Sequence, residues 1–435
     1  MKRSSLEADM SVSRRALLRG GLAGLALAGT GAGTAACGDE AGDGKTTLRF
    51  AWWGSEERAK LTQQVVDLFH TRHPDITVTT TYATYDPYFQ KLATEMSGGN
   101  APDVLQMGDR YLREYAERNT LLDLTPHLGS AIHAADLEPK LLPAGALGDK
   151  TYGLPMGQTT HVLQYDAKRW TDAGAALPAD GWTWDDLLAA GSAVTAKFGP
   201  KVSGISDPFG IEDWFGDWLR QQGKDLYTPA GQLGYAPEDV VRWWQLGVRF
   251  RAANAITPPA VTSNTTGTPF PRKESTAEFC PDSTIGMTSF ETYGGDFALS
   301  PFPTAGTGIG QVTQPPMMIS VAQRTRNRDA ALTFVDFFLN DPEAGAVLGM
   351  SRGLPANLKI RETLSSTLTD EWKMVADYEA KVSPRLMPAP APPPKGAGVV
   401  KTQFQRIYDD VMNASATPEQ AAPRLMSEIQ QALGA

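Results

Sequence analysis

Thr47-Leu48-Arg49-Phe50-Ala51-Trp52-Trp53-Gly54-Ser55-Glu56-Glu57 decides the fold. Residues 47–52 read as a strand that stops at Gly54. Ser55 is a good N-cap, and Glu56 and Glu57 fall in the first turn of the helix it opens, where the helix dipole favours acids. Leu61, Val65, Leu68 and Phe69 follow at helical spacing until His73-Pro74-Asp75 ends the helix. Ile76, Val78, Thr80 and Tyr82 then alternate as a second strand. The order repeats, with a short apolar strand over 103–107 and a helix over 111–118. Strands alternating with helices in this way predict an α/β fold on a mainly parallel sheet.

The same signals continue along the chain. A second region starts near Tyr152-Gly153-Leu154-Pro155, with a strand over 161–165 and Asp166 as the cap of the next segment. Thr183 caps a helix whose first turn holds Asp185 and Asp186. Trp-rich helices are expected over 212–222 and 240–253, a strand over 317–321 and a helix over 328–339. Six prolines within 384–394 require an extended segment. Thr417 opens the last helix, which Pro423 should bend or delay.

Composition narrows the class. The chain has 435 residues, 41% hydrophobic and 20% charged, ordinary for a globular protein and long enough for two lobes. Two cysteines, Cys37 and Cys280, rule out a zinc ribbon or a disulfide scaffold. A net charge of −9 argues against sequence-independent nucleic-acid binding, which needs a basic stripe.

The N-terminus reads as a cleaved export signal, residues 1–36. Ser13-Arg14-Arg15-Ala16-Leu17-Leu18 precedes an uncharged run, Gly20 to Ala36, that is too short and too dilute for a membrane span. Thr34-Ala35-Ala36-Cys37 resembles a bacterial lipobox, so Cys37 is the expected site of lipidation, with 37–45 as a tether. The Arg14-Arg15 pair resembles a twin-arginine signal; ordinary Sec export is the alternative. Five basic against two acidic residues give the signal a net +3, so the rest of the chain carries −12. Cys280 is then the remaining thiol and reads as a small buried hydrophobe.

Catalytic motifs are missing. The chain has no Gly-x-Gly-x-x-Gly after a strand, no phosphate-binding loop and no Gly-x-Ser-x-Gly elbow. Its five histidines form no spaced metal set, so neither a metal nor a cofactor is expected. Aromatic side chains are abundant instead, with ten Trp and twelve Tyr, many beside turns. Such faces stack on sugar rings while Asp, Glu, Arg and Gln bond the hydroxyls. Trp243 and Trp244 read as core, whereas Trp52 and Trp53 lie at the carboxyl end of a strand, where ligands of open α/β sheets collect.

Six segments, in order, carry a family likeness: residues 50–54, 99–104, 111–116, 152–155, 182–186 and 352–357. Together they resemble the family 1 extracellular solute-binding proteins of ATP-binding-cassette importers, the cluster that includes maltose-binding protein. The resemblance implies a two-lobed periplasmic-binding-protein-like fold of the class II type, with the ligand cleft between the lobes. It divides the chain into 46–158 with 318–354 and 159–317 with 355–435. Mapped onto this chain, the cleft holds Trp52, Trp53, Gly54, Tyr85, Asp109, Arg110, Gln158, Trp214, Phe290, Glu291 and Arg352. Trp184 packs a helix start or meets the ligand. Relatives often carry an Asp directly after the Met that ends the third strand; here Gly108 intervenes before Asp109-Arg110.

The resemblance further implies a lipid-anchored monomer on the outer face of the cell membrane. Its ligand is a carbohydrate, an oligosaccharide in preference to a monosaccharide, and its partner is a membrane permease. A secreted carbohydrate-active enzyme and a receptor for another small solute are the alternatives.

Overall fold

The computed structural model describes residues 45–263, 269–285, 296–306 and 308–434. Arg14, Arg15, Cys37, Phe290 and Glu291, all assigned roles above, therefore lie outside the described residues. Two apolar cores organise the chain. The first gathers Leu48 to Met156 with Met317 to Ala356. The second gathers Leu163 to Phe302 with Val400 to Ile429.

The opening stretch folds as its pattern requires. β1 (Thr46–Trp53) runs into α1 (Glu56–Arg72), and Ser55 caps α1 by accepting from the Arg58 N–H. β2 (Ile76–Ala83), α2 (Tyr85–Ser97), β3 (Val104–Met107) and α3 (Asp109–Glu117) come next. β1 lies parallel between β2 and β3. Phe50 packs edge-on to Phe334 and Phe338 of the helix Arg328–Asn340, and Trp53 packs on the opposite face against Tyr88 and Phe89 of α2. This is the period-two alternation of a strand covered by a helix on each side.

The parallel expectation holds only for β1–β3. Met318–Val321 joins the same sheet antiparallel to β3, and Leu154–Pro155 pairs antiparallel beyond it. The second sheet, Phe297–Ser300, Val162–Asp166 and Ala277–Cys280, is antiparallel throughout. Its strands come from distant parts of the chain and not from strand–helix–strand units, so nothing imposes a parallel order.

The chain crosses between the cores several times. Gly157–Gln158 pairs antiparallel with Leu354–Pro355. A Cβ on Gly157 would fall 1.9 Å from the Arg352 carbonyl oxygen, and Gly353 has a φ of +83°. Only glycine fits at either position. Ala356 and Ala389 pack in the first core, while Tyr378, Val382 and Leu386 between them pack with Val162 and Cys280 of the second sheet.

Smaller corrections concern proline. Pro384 begins no extended run, because Ser383–Arg385 forms a single 3-10 turn. Pro423 does not delay the last helix, which starts at Pro418 behind a capping box of Thr417 and Gln420.

Candidate ligand cleft

The carboxyl ends of β1, β2 and β3 bring three turns together. Trp52 is 1% exposed and lies under Tyr82, its register partner on β2, with the rings stacked 5.8 Å apart at 15°. Tyr82 itself is 49% exposed. Trp53 meets Tyr85 edge-on at 5.4 Å, and Tyr85 is 39% exposed. Phe89 and Tyr111 stack at 4.0 Å behind them. A Cβ on Gly108 would lie 3.6–3.8 Å from Phe89, Tyr85 and Trp53, so the rings converge on the end of β3. Burial, then Tyr111 and Asp109, push the Tyr85 hydroxyl up to about 12.

Charged groups surround this aromatic floor. Asp109 and Arg110, exposed in the first turn of α3, come from the first lobe. Crowding by surrounding atoms raises the Asp109 carboxyl, exposed though the residue is; Arg110 and Lys401 oppose the shift and Asp213 adds to it. Glu212 and Asp213 open the helix Glu212–Arg220 beside the second core. Asp213 is ion-paired to Lys401. Burial would raise Asp213 too, but Lys401, His161 and Arg110 together hold it low. Glu212 is pushed up to about 8, by burial first and by Asp213 next, with Tyr227 donating to it at 3.3 Å. Asp109 and Arg110 thus share one electrostatic neighbourhood with Glu212, Asp213 and Lys401. A second such neighbourhood joins Arg58 in α1 to Asp282 beyond the strand Ala277–Cys280.

Several predicted site residues lie elsewhere, and burial is the reason. Trp184 is 4% exposed and packs against Trp243 and Phe279 in the second core. Trp214 is 2% exposed, edge-on to His161 and Phe302. Neither ring offers a face. Trp52 is likewise covered and reaches the surface only through Tyr82. Gln158 is fully buried, donating to Glu379 and accepting from Arg361. Arg352 points into the first lobe, where it bonds Thr62 of α1 at 2.7 Å and lies over the Phe338 ring. Burial lowers its guanidinium to about 9. Trp53, Gly54, Tyr85, Asp109 and Arg110 are the predicted residues brought together at the strand ends.

The structure also brings Tyr82, Arg58, Glu212, Asp213 and Lys401 into these neighbourhoods. For Tyr82 the signal was present, since a large ring at the last outward position of an edge strand beside a turn has little to pack on. Lys401 lies 188 residues from its partner and carried no local signal. Among the described residues no cluster of His, Cys, Asp and Glu could hold a metal ion. A groove of about 480 Å³ lies apart from the strand ends, lined by His133, Asp136, Asp336 and Lys359 among others. Its polar side chains already have partners, His133 with Asp336 and Lys359 with Asp136.

Two α/β lobes with aromatic and charged groups gathered at the strand ends define a solute receptor of the two-lobed kind. A family model for bacterial extracellular solute-binding proteins matches residues 64–380, and the chain belongs to that family. A Streptomyces antibioticus protein described as an uncharacterized lipoprotein in the oleD 5' region is 24% identical, over 84% of this chain and 83% of its own. A family 1 extracellular solute-binding protein of Alicyclobacillus acidocaldarius superposes with a TM-score of 0.75 at 26% identity, over 90% of this chain and 99% of that one. A periplasmic oligogalacturonide binding protein of Yersinia enterocolitica superposes at 0.77 with 20% identity, over 89% and 100%. Among the described residues no helix is long and apolar enough to cross a membrane.

Proposed function

We propose that this chain is the carbohydrate receptor of an ATP-binding-cassette importer. It is exported, held on the outer face of the cell membrane by a lipid on Cys37, and works as a monomer. It captures a carbohydrate, an oligosaccharide in preference to a single sugar, and passes it unchanged to the permease. No cofactor takes part. The lobes comprise 46–158 with the strand Met318–Val321 and the helix Arg328–Asn340, and 159–317 with the C-terminal helices. Family membership supports this reading, as does a structural neighbour that binds an oligogalacturonide.

One observation carries the choice of ligand. Tyr82 and Tyr85 are the large aromatic side chains left exposed among the described residues, and both lie at the strand ends with a tryptophan beneath each. Each exposed ring, backed by a buried one, offers a rigid apolar face suited to a sugar, Tyr82 on the Trp52 side of β1 and Tyr85 on the Trp53 side. Trp53, Gly54, Tyr82, Tyr85, Asp109 and Arg110 form the contact set, with Arg58, Asp213 and Lys401 at its margin.

The test is a tryptophan-fluorescence titration against a panel of oligosaccharides, followed by chromatography of the sugar. The expected result is saturable binding, a raised melting temperature, because the ligand binds only the folded state, and an intact sugar afterwards. Cleavage of the sugar, or binding confined to amino acids or ions, overturns the proposal.

A further inference from the structure

Arg113 belongs to the Tyr111–Ala116 stretch of the family likeness, yet it lies outside the contact set. It is 7% exposed on α3, and its neighbours Leu112 and Tyr115 pack in the first core. Its guanidinium reaches away from that core. Nη2 donates to the Pro229 carbonyl at 3.1 Å and Nε to the Pro392 carbonyl at 3.0 Å. Pro229 lies in a turn whose flanking Leu226 and Leu233 pack on the second core. Pro392 lies in the segment that crosses from Ala389 in the first core to Val400 in the second. Gly231, at a φ of +81°, lets the turn lie close over the guanidinium, where a Cβ would be 3.5 Å from Arg113 Cζ. The nearby carboxylate is Glu117 of the same helix, 3.6 Å from Nη1.

We propose that Arg113 is a latch that joins the two lobes before any ligand arrives and so sets affinity without meeting the ligand. Both hydrogen bonds come from a buried guanidinium; separation of the lobes breaks the one to Pro229, and the one to Pro392 ties α3 to the crossing segment. A receptor whose binding-competent form is only partly populated loses affinity by that same fraction. Arg113 is therefore a positioning residue. Its effect on affinity rests on the proposed capture of a ligand between the lobes. The joining of the lobes does not, and it is tested without ligand.

The experiment is amide hydrogen exchange on the exported full chain, unliganded, as wild type, Arg113→Met and Arg113→Lys. Met keeps the length and removes every donor. The latch predicts exchange at least about tenfold faster in Arg113→Met, the factor one charge-assisted hydrogen bond supports. The faster exchange appears both in the first turn of α3 and in the Tyr227–Leu233 turn and the start of the Glu212–Arg220 helix. β1 and Val162–Asp166 stay at the wild-type rate, and Arg113→Lys falls between. Unchanged exchange on both sides overturns the latch, and so does acceleration confined to α3, which marks a local packing role. Should the Met variant fail to fold, the Lys variant decides, and an unchanged Tyr227–Leu233 turn overturns the proposal. If exchange changes as expected while no carbohydrate binds, the latch stands and the proposed ligand falls.

Discussion

Tyr85 and Trp214 separate ligand contact from packing. Tyr85 is part-exposed at the strand ends, so Tyr85→Ala should weaken carbohydrate binding about tenfold, or about 1.4 kcal/mol, with a nearly unchanged melting temperature. Trp214 is enclosed, and Trp214→Ala should lower stability by about 3–5 kcal/mol in urea titrations. Glu212 gives a pH signature. Its carboxyl titrates near 8 in the folded chain, above its ordinary value of 4.5, so the unfolded chain releases the proton first as pH rises. Stability should therefore fall between about pH 4.5 and 8. Glu212→Gln should raise the melting temperature at pH 7.5 and make little difference at pH 4. In the candidate site, Tyr85, Asp109 and Arg110 could be singled out because they sit directly after strand patterns. Trp184 and Trp214 could not be placed from sequence, because an amphipathic helix shows the same aromatic spacing whether its rings meet a core or a cleft.

The helix starts that carry a capping side chain were legible from it. Ser55 accepts from its helix as expected, Asp166 accepts from the Arg169 N–H, and Thr183 forms a capping box with Asp186. Strand partners were not legible, since pairings such as Met318 with Met107 join residues far apart in the chain through backbone bonds that leave no side-chain signature. The crossover was equally hidden. There the helix Asp370–Val382 inserts Glu379, 1% exposed, between the crossing strands and the second lobe. Gln158 Nε2, Thr160 Oγ1 and Ser283 Oγ donate to it at 2.9, 2.7 and 2.5 Å. Glu379→Leu orphans three buried donors and should cost roughly 3 kcal/mol, read as a lower urea midpoint.

In chain order the tether precedes β1, and the contact set begins at the other end of that strand. If the tether is lipidated, Cys37→Ala should move the protein from the membrane fraction to the medium, because an acyl chain contributes about 0.8 kcal/mol per buried methylene. Retention of the variant in the membrane fraction counts against the anchor. Lobes and family were legible from six short segments in order, since strand ends, crossover glycines and helix starts are local features that a chain cannot move without losing the fold. The identity of the ligand was not legible, because it depends on how side chains from two separate cores meet. Native mass spectrometry of the protein purified from its own host addresses that directly. The expected result is an adduct whose mass equals a whole number of sugar residues, present on the wild type and lost from Tyr85→Ala. An adduct of amino-acid or peptide mass, or a carbohydrate adduct retained in full by Tyr85→Ala, would contradict capture of a sugar on the exposed tyrosines.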